Sequence, residues 1–548
     1  MYAFTTLEDV MSSTNIKQPI AFDTETDGFY GQIEVAQFYQ PHWPEVKLVR
    51  KPEPYTLANF IKEVTPIGHN LHYDFSVLQT QTGANWLPGE FIDTFYLSRL
   101  YYYTKEKFTL DDVLSYVLGY DPYEQAGLSK KDLQKSSWSG LLSPAQEMYA
   151  ALDVFHMFEV LDKLSEMQDD FSYKLDILFT RYCLEFQQNG MPVLAEELQN
   201  RYRSNLARID ELALPINVNS WQQVRPYIGE SESDGLALAT FALQGNERAA
   251  QVNEVRKLIK QNSFLTKFDV ASGRIYGRFK PSARSGRCTC GDQNLQQIPR
   301  KTKDVFGVEP DSGRSLIYSD YSQLELRGGC AITGELRMEE LFRSGEDLHQ
   351  YTADMIKASR QVAKTANFNL LYGGSHGMLG SILIKDAGLL VPEAELAMIK
   401  KKWQNLWTGI YAWQQRGIAA WRKKQPWQTP LGRRYVGKLM TDHLNIQVQG
   451  FGAEVAKLAT HYMMPALRGL PGDIKVCNFV HDSWVLECDN DRSVHEQVAR
   501  VMSEAMQEAW FECCRSTKIK DLPMPVDVYA GFNWGKIEDE HIYKFTKE

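Results

Sequence analysis

Residues 360–374 read "RQVAKTANFNLLYGG", and the fold turns on how this stretch is understood. Arg360, Lys364, Phe368 and Tyr372 recur every four residues. On a helix that spacing lays them along one slowly drifting stripe. Gly373 and Gly374 then end the helix. Two cations at one end of a stripe and two aromatic rings at the other suit a nucleotide, with triphosphate on Arg360 and Lys364 and base near Phe368 and Tyr372. The plainer alternative is an amphipathic helix with a buried aromatic edge. The rest of the chain decides between them.

Carboxylates recur in strand-like surroundings. "LIYSDYSQLELRGG" (316–329) runs from a strand pattern into a polar turn and carries Asp320. In "VHDSWVLE" (480–487), Val480, Trp484, Val485 and Leu486 are β-formers, so the stretch reads as part of a buried strand into which His481, Asp482 and Ser483 are set. An ionised carboxylate there needs an arginine, a cap or a metal ion to meet it. In "IAFDTETDG" (20–28), Asp23 and Glu25 stand two apart on a probable strand and project from one face. Carboxylates so close repel unless a cation lies between them. "GHNLHYD" (68–74) puts Asp74 in a first helical turn, with Asn70 read as its N-cap. "EMYAALD" (147–153) puts Tyr149 and Asp153 four apart on one helical face.

At 548 residues the chain should hold about three or four domains. Hydrophobic content of 43% and charged content of 24% are ordinary for a soluble protein. No apolar stretch approaches a membrane span, and "MYAFTTLEDVMSSTN" has no targeting pattern, so an intracellular protein is the default. Eight cysteines without a CxxC pair disfavour structural zinc and suit reduced thiols. A net charge of −9 argues against a nucleic-acid partner. Between Glu254 and Lys303, however, twelve Lys/Arg face three acids, which is either a solvated face or a phosphate-tracking surface.

The first ~160 residues alternate strand-like runs such as "PIAFDTE" with helical stretches. A helical region with an "NGMP" breaker runs from about 161 to 212, an acidic loop "GESESDG" spans 229–235, and helix resumes through about 268. Strand-like "GRIYGRF" and "SLIYSDY" precede a mostly helical stretch, 335–425. "VCNFVHDSWVLEC", a helix near 492–515 and "MPVDVYAGFNWG" close the chain. This pattern is one α/β domain followed by a larger α+β unit whose strands are scattered in sequence.

Asp23/Glu25, Asn70-x-x-Tyr73-Asp74 and Tyr149-x-x-x-Asp153 resemble the three motifs of DEDD-class 3′→5′ proofreading exonucleases, tyrosine variant. R-x3-K-x3-F-x3-YG and "LIYSDYSQLELRGG" resemble motifs B and A of family-A (DNA polymerase I-like) DNA polymerases, and Asp482 matches the second palm carboxylate. The resemblance implies an RNase H-like exonuclease domain over 1–160 and a right-hand polymerase over 161–548. Thumb would fall at 190–270, palm at 271–330 and 441–548, and fingers at 331–440. It implies two Mg2+ ions, with Mn2+ as a substitute, in each active site. Asp23, Glu25, Asp74 and Asp153 would hold one pair while Tyr149 orients the attacking water; Asp320, the Tyr321 carbonyl and Asp482 would hold the other.

The incoming dNTP would meet Arg360, Lys364 (also catalytic), Phe368, Tyr372, Gln323, Glu325 and His349 of "DLHQYTA". Glu325 would exclude a ribose 2′-hydroxyl by occupied volume. Phe rather than Tyr at 368 implies poor use of dideoxynucleotides. Primer–template DNA would meet Arg287 of "SGRCTC", Asn294, Gln296, Asn445, Gln449 and His481. "TPLGRR" (429–434) and "GFNW" also match. The pattern is broken at Thr441, where an Arg is common, and at Ser483, where Glu is usual. Glu487 would lie on the opposite strand face and is a poor replacement.

"HDS" also resembles single-subunit phage-type RNA polymerases, but Glu325 and the editing motifs speak against that. A primer-trimming protein with an inert polymerase half is the other rival, opposed by intact Asp320, Lys364 and Asp482. The reading is therefore a monomeric, cytoplasmic replication or repair polymerase, weakly processive when alone. Its compact form suggests a phage type (acting in the host cytoplasm), with no preceding 5′-nuclease domain. Helicase, primase or other replisome proteins are its implied partners.

Overall fold

The computed structural model describes residues 1–83, 86–268, 271–535 and the strand 544–547. Asp269, one of the three acids counted above, and Glu548, the expected end of the palm, lie outside the described residues. The chain divides into two units. The first comprises Met1–Gln188, Phe279–Gly286 and Gly432–Tyr435, and the second comprises Asn189–Arg278, Arg287–Leu431 and Val436–Glu548.

In the first unit a six-stranded mixed sheet runs in the order Tyr2–Thr5, Val46–Arg50, Ile33–Tyr39, Ile20–Thr26, Pro66–Gly68, Ile92–Asp93. Ile20–Thr26 pairs antiparallel with Ile33–Tyr39 and parallel with Pro66–Gly68. Phe22 and Thr24 are buried on one face, while Asp23 and Glu25 are half-buried on the other, as the two-residue period requires. The helix Pro144–Phe155 packs on this sheet. Ser143 and Gln146 form its capping box. Two segments from beyond residue 188 complete the unit. In one of them, Arg433 meets buried Asp176 at 2.9 Å.

Asn70 is not an N-cap. The helix begins at His72 after Leu71, and Asn70 takes a left-handed φ of 71°. The Asp93 carboxylate accepts from the Asn70 and Leu71 N–H groups, at 2.8 and 3.0 Å. A side chain from a neighbouring strand end thus does the work that local sequence assigned to Asn70.

In the second unit a five-stranded antiparallel sheet runs in the order Lys475–Val480, Ser483–Asp489, Arg314–Tyr321, Val526–Gly531, Lys544–Lys547. Arg492–Cys514 packs on it and against Met440–Arg468. Trp484 and Trp510 are fully buried between them, and Trp484 donates to Thr460 at 3.1 Å. The stretch 480–487 is not one strand. Val480 pairs with Ser483, so His481 and Asp482 form a tight hairpin turn. His481 takes a φ of 61°, and both the Asp482 N–H and the Ser483 hydroxyl donate to the Val480 carbonyl, at 2.8 and 2.9 Å. Flanking β-formers conceal a turn that carries no glycine.

Leu348–Ile356, Arg360–Leu371 and Glu393–Leu406 pack together. Ser359 caps the second of these, and Gly373 (φ 74°) follows its end, as the sequence predicts. Ala195–Leu212 and Glu247–Leu265 border a small core around Val224, Leu238 and Val252. All eight cysteines are buried thiols, none in a disulfide.

Candidate active sites

The first unit holds a cleft of about 1250 Å³. The strand Ile20–Thr26 supplies Asp23 and Glu25, and the helix Pro144–Phe155 supplies Asp153. Carboxylate oxygens of these three lie within 4.8 Å of one another. Asp74 stands beside them, accepting from the Thr24 hydroxyl at 2.6 Å. Burial, then mutual repulsion, pushes Asp23 and Glu25 well above the usual carboxylate range. Burial likewise raises Asp74 to about 7 and Asp153 to about 6. Buried carboxylates that repel one another and are open to a cleft are the donor set a divalent cation requires, so the residues fit the expected ions. Tyr149 packs beside Tyr123 and Trp138 and accepts from Gln134 at 3.3 Å.

Sequence reasoning missed three groups here. The Tyr123 hydroxyl donates to Asp153. Lys130, paired with Asp111 at 2.6 Å, offsets the charge of Asp23, Glu25 and Asp153. Lys280, from the returning segment Phe279–Gly286, also lines the cleft. It donates to the Asn70 side-chain oxygen, and its ammonium lies 4.2 Å from the Phe95 ring centre. Burial pushes Lys280 down to about 8. The basic run 254–303 was the only sequence signal for it.

In the second unit the sheet brings together residues far apart in sequence. Asp320, near the end of its strand, pairs in register with Ser483, beside Asp482 in the turn. Burial, then the charges of Asp320 and Glu325, raises Asp482 to about 8. Two carboxylates held together against repulsion again fit a cation. Tyr321 is anchored by its hydroxyl, which donates to the Met506 carbonyl at 2.8 Å. Gln323, at φ 56°, precedes the helix Leu324–Thr333, and its side-chain oxygen is buried with no partner among the described residues.

Glu325 pairs with Arg287, and His481 senses the charge of both. Tyr372 lies against Glu325 and Gln449; burial and then the Glu325 charge raise its hydroxyl well above the ordinary value. Asn445 and Gln449 share the helix Met440–Arg468. Arg360 and Lys364 are exposed on the helix Arg360–Leu371, with Arg360 held by Asp347 at 2.7 Å. Phe368 lies 5.9 Å from the His349 ring.

Other predicted contacts are engaged within the protein. The Asn294 side chain caps the short turn Leu295–Gln297 at 3.1 Å, and Gln296 donates to the Phe479 carbonyl at 3.0 Å. In the basic segment, Arg274 pairs with Glu487 and Arg278 with Asp292, while Arg256 donates to the Val218 carbonyl.

Residues 190–536 match the family model described as DNA polymerase family A. The chain belongs to that family. Residues 2–169 of this family A polymerase match the 3'-5' exonuclease model. It is a DNA-directed DNA polymerase that carries a 3′→5′ exonuclease domain. It is 28% identical to "DNA polymerase I" of Aquifex aeolicus, over 88% of this chain and 89% of that one. It is 25% identical to "DNA polymerase I, thermostable" of Thermus thermophilus, over 90% of this chain but only 62% of that one. These relatives are bacterial, and the phage-type expectation finds no support in them. The fold is also that of a solved POL domain of Pol1 from M. smegmatis, in complex with DNA primer-template and dNTP. That likeness has a TM-score of 0.77 at 19% identity and covers 98% of this chain and all of the other. No helix among the described residues is long and apolar enough to cross a membrane.

Proposed function

We propose that Asp320, Asp482 and the Tyr321 carbonyl hold the Mg2+ ions of DNA synthesis, with Mn2+ as a substitute. Asp23, Glu25, Asp74 and Asp153 do the same for proofreading. The observation that carries this reading is the pairing of Asp320 with Ser483, which sets the hairpin of Asp482 beside it although the two aspartates are 162 residues apart. Bound there, such ions would lower the pKa of the primer 3′-hydroxyl or of an attacking water and would steady the charge of the leaving group.

The protein's own groups do the rest. Arg360 exchanges Asp347 for the triphosphate of a bound dNTP, joined by Lys364 and His349. The base stacks near Phe368 and Tyr372, and Glu325 fills the volume a ribose 2′-hydroxyl would need. Gln323 turns its side chain toward the same nucleotide. Arg287, Asn445, Gln449 and His481 border the primer–template, while Asn294 and Gln296 support the turn after Arg287. In the exonuclease cleft Tyr149 orients the attacking water.

The thumb then corresponds to about 190–270, the fingers to 331–440 and the palm to 271–330 and 441–548. The enzyme works in the cytoplasm as a monomer beside helicase and primase. A phage-type source rests on compact length alone. The test is a 5′-labelled primer on a longer DNA template with Mg2+, with and without dNTPs, alongside Asp482→Ala. Extension with dNTPs, shortening without them and loss of only the extension in the variant support the reading. Shortening under every condition, indifferent to residue 482, overturns it.

A further inference from the structure

Behind His349 runs a hydrogen-bond chain whose polarity can be read from one end to the other. Trp403 has only an indole N–H, and it donates to the Asn367 side-chain oxygen at 2.8 Å. That fixes the orientation of the buried Asn367 amide, so its nitrogen must donate. It lies 3.1 Å from His349 Nδ1 and 3.1 Å from Thr352 Oγ1. Thr352 spends its own hydroxyl proton on the Leu348 carbonyl at 2.7 Å, so its oxygen is free to accept from the amide. His349 Nδ1 must therefore accept as well. The ring's single proton sits on Nε2.

We infer that Asn367 and Trp403 are positioning residues that lock His349 as a neutral Nε2–H donor to the phosphates of the incoming dNTP. This rests on the reading that His349 faces that nucleotide. An imidazolium would set Nδ1–H against the Asn367 N–H, and flipping the amide would set that N–H against the Trp403 N–H. Either arrangement buries two opposed donors. The charged groups facing His349 are Asp347 at the start of its own helix and Arg360 and Lys364 from the next. The third packed helix offers the neutral Trp403, and its Lys402 is turned to the Ile356 carbonyl. Arg360 and Lys364 supply the positive charge at this place. His349 adds direction, and its contact is insensitive to pH across the neutral range.

The chain can be reversed with one isosteric change. Asn367→Asp offers a carboxylate oxygen to both Trp403 and His349, so His349 takes a proton on Nδ1 and titrates near about pH 7. Two measurements test this on the whole 548-residue chain. The first is 15N NMR of histidine-labelled protein, with His349 assigned by its loss in His349→Gln. Wild type should show the Nε2–H tautomer near neutral pH, and Asn367→Asp a titrating ring. A wild-type Nδ1–H tautomer or a charged ring overturns the proposal.

The second is the ratio of dNTP KM in Asn367→Asp to wild type across about pH 6 to 9. It should change about tenfold, the size of one charge-assisted contact, with the smaller KM at low pH. The change should vanish in the double variant His349→Gln/Asn367→Asp. A ratio that is flat, or a step that persists without His349, overturns the proposal. The underlying reading fails separately: His349→Gln with wild-type dNTP KM would show that His349 does not face the nucleotide, whatever its tautomer.

Discussion

Asp320 lies directly opposite Ser483 in the antiparallel ladder, so the turn that carries one aspartate ends at the residue facing the other. The Ser483 hydroxyl closes that turn on the Val480 carbonyl. Ser483→Ala should cost about 1 kcal/mol of stability, the worth of one ordinary hydrogen bond. Ser483→Glu adds a third carboxylate near two that already repel. Single-nucleotide extension should nevertheless stay within about tenfold of wild type, since the aspartate pair is unchanged. A larger change in either direction would make position 483 part of the mechanism.

The exonuclease carboxylates should destabilise the metal-free fold. Asp74 and Asp153 are raised to about 7 and about 6. Groups with raised folded pKa values contribute fully below the usual carboxylate range and lose that contribution as pH rises through about 6 to 7. In EDTA, Asp74→Asn should therefore melt increasingly above wild type as pH rises from about 4 to 7. Saturating Mg2+ should narrow the gap, because an ion bound only by the folded site stabilises wild type. Scanning calorimetry of both proteins decides it; a gap independent of pH and Mg2+ would mean the carboxylates do not interact as described.

What was legible in the sequence follows from distance along the chain. Asp23 with Glu25, Tyr149 with Asp153, and the stripe from Arg360 to Phe368 each lie within one element, where period alone places them. Bringing Asp320 to Asp482 needed a family resemblance, because no local rule spans a sheet. The turn at His481 was hidden by β-formers on both sides. Asn70 was misread because the carboxylate that caps it is Asp93, on another strand. Lys280 was invisible as part of the exonuclease cleft for the same reason: its segment, Phe279–Gly286, returns to the first unit from far beyond Gln188. The Trp403–Asn367–His349 chain joins three helices and has no sequence signature.

Lys280 gives a prediction confined to the exonuclease. Its ammonium orients the Asn70 amide and adds a positive charge to a cleft whose carboxylates outnumber its lysines. Lys280→Met should raise the exonuclease KM for single-stranded DNA about tenfold, as loss of one hydrogen bond to a charged group would. Because the lysine is held at about 8, its charge is lost as pH rises through that value. Lys280→Arg keeps its charge and should flatten the rise in KM above about pH 8. Excision assays on a labelled oligonucleotide at several pH values test both. Identical profiles for Lys280→Arg and wild type would remove Lys280 from substrate binding.

Glu487 separates structure from catalysis at the synthetic site. It is nearly buried and holds Arg274 at 2.7 Å and Arg314 at 2.9 Å. Although burial opposes ionisation, the two guanidinium groups leave its carboxyl below the usual range. Glu487→Ala would take the carboxylate from Arg274, while Arg314 keeps Asp489 and Asp473, at a cost of about 1–3 kcal/mol. The sign with pH is opposite to that of the exonuclease cluster. A depressed pKa contributes stability above the usual carboxylate range and loses it as pH falls, so the gap between Glu487→Ala and wild type should shrink toward acid. Urea unfolding at about pH 7 and about pH 4 measures that gap. Extension by the folded variant should match wild type within about twofold, since Glu487 faces arginines rather than Asp320. Normal stability with lost extension would instead make Glu487 the missing third carboxylate.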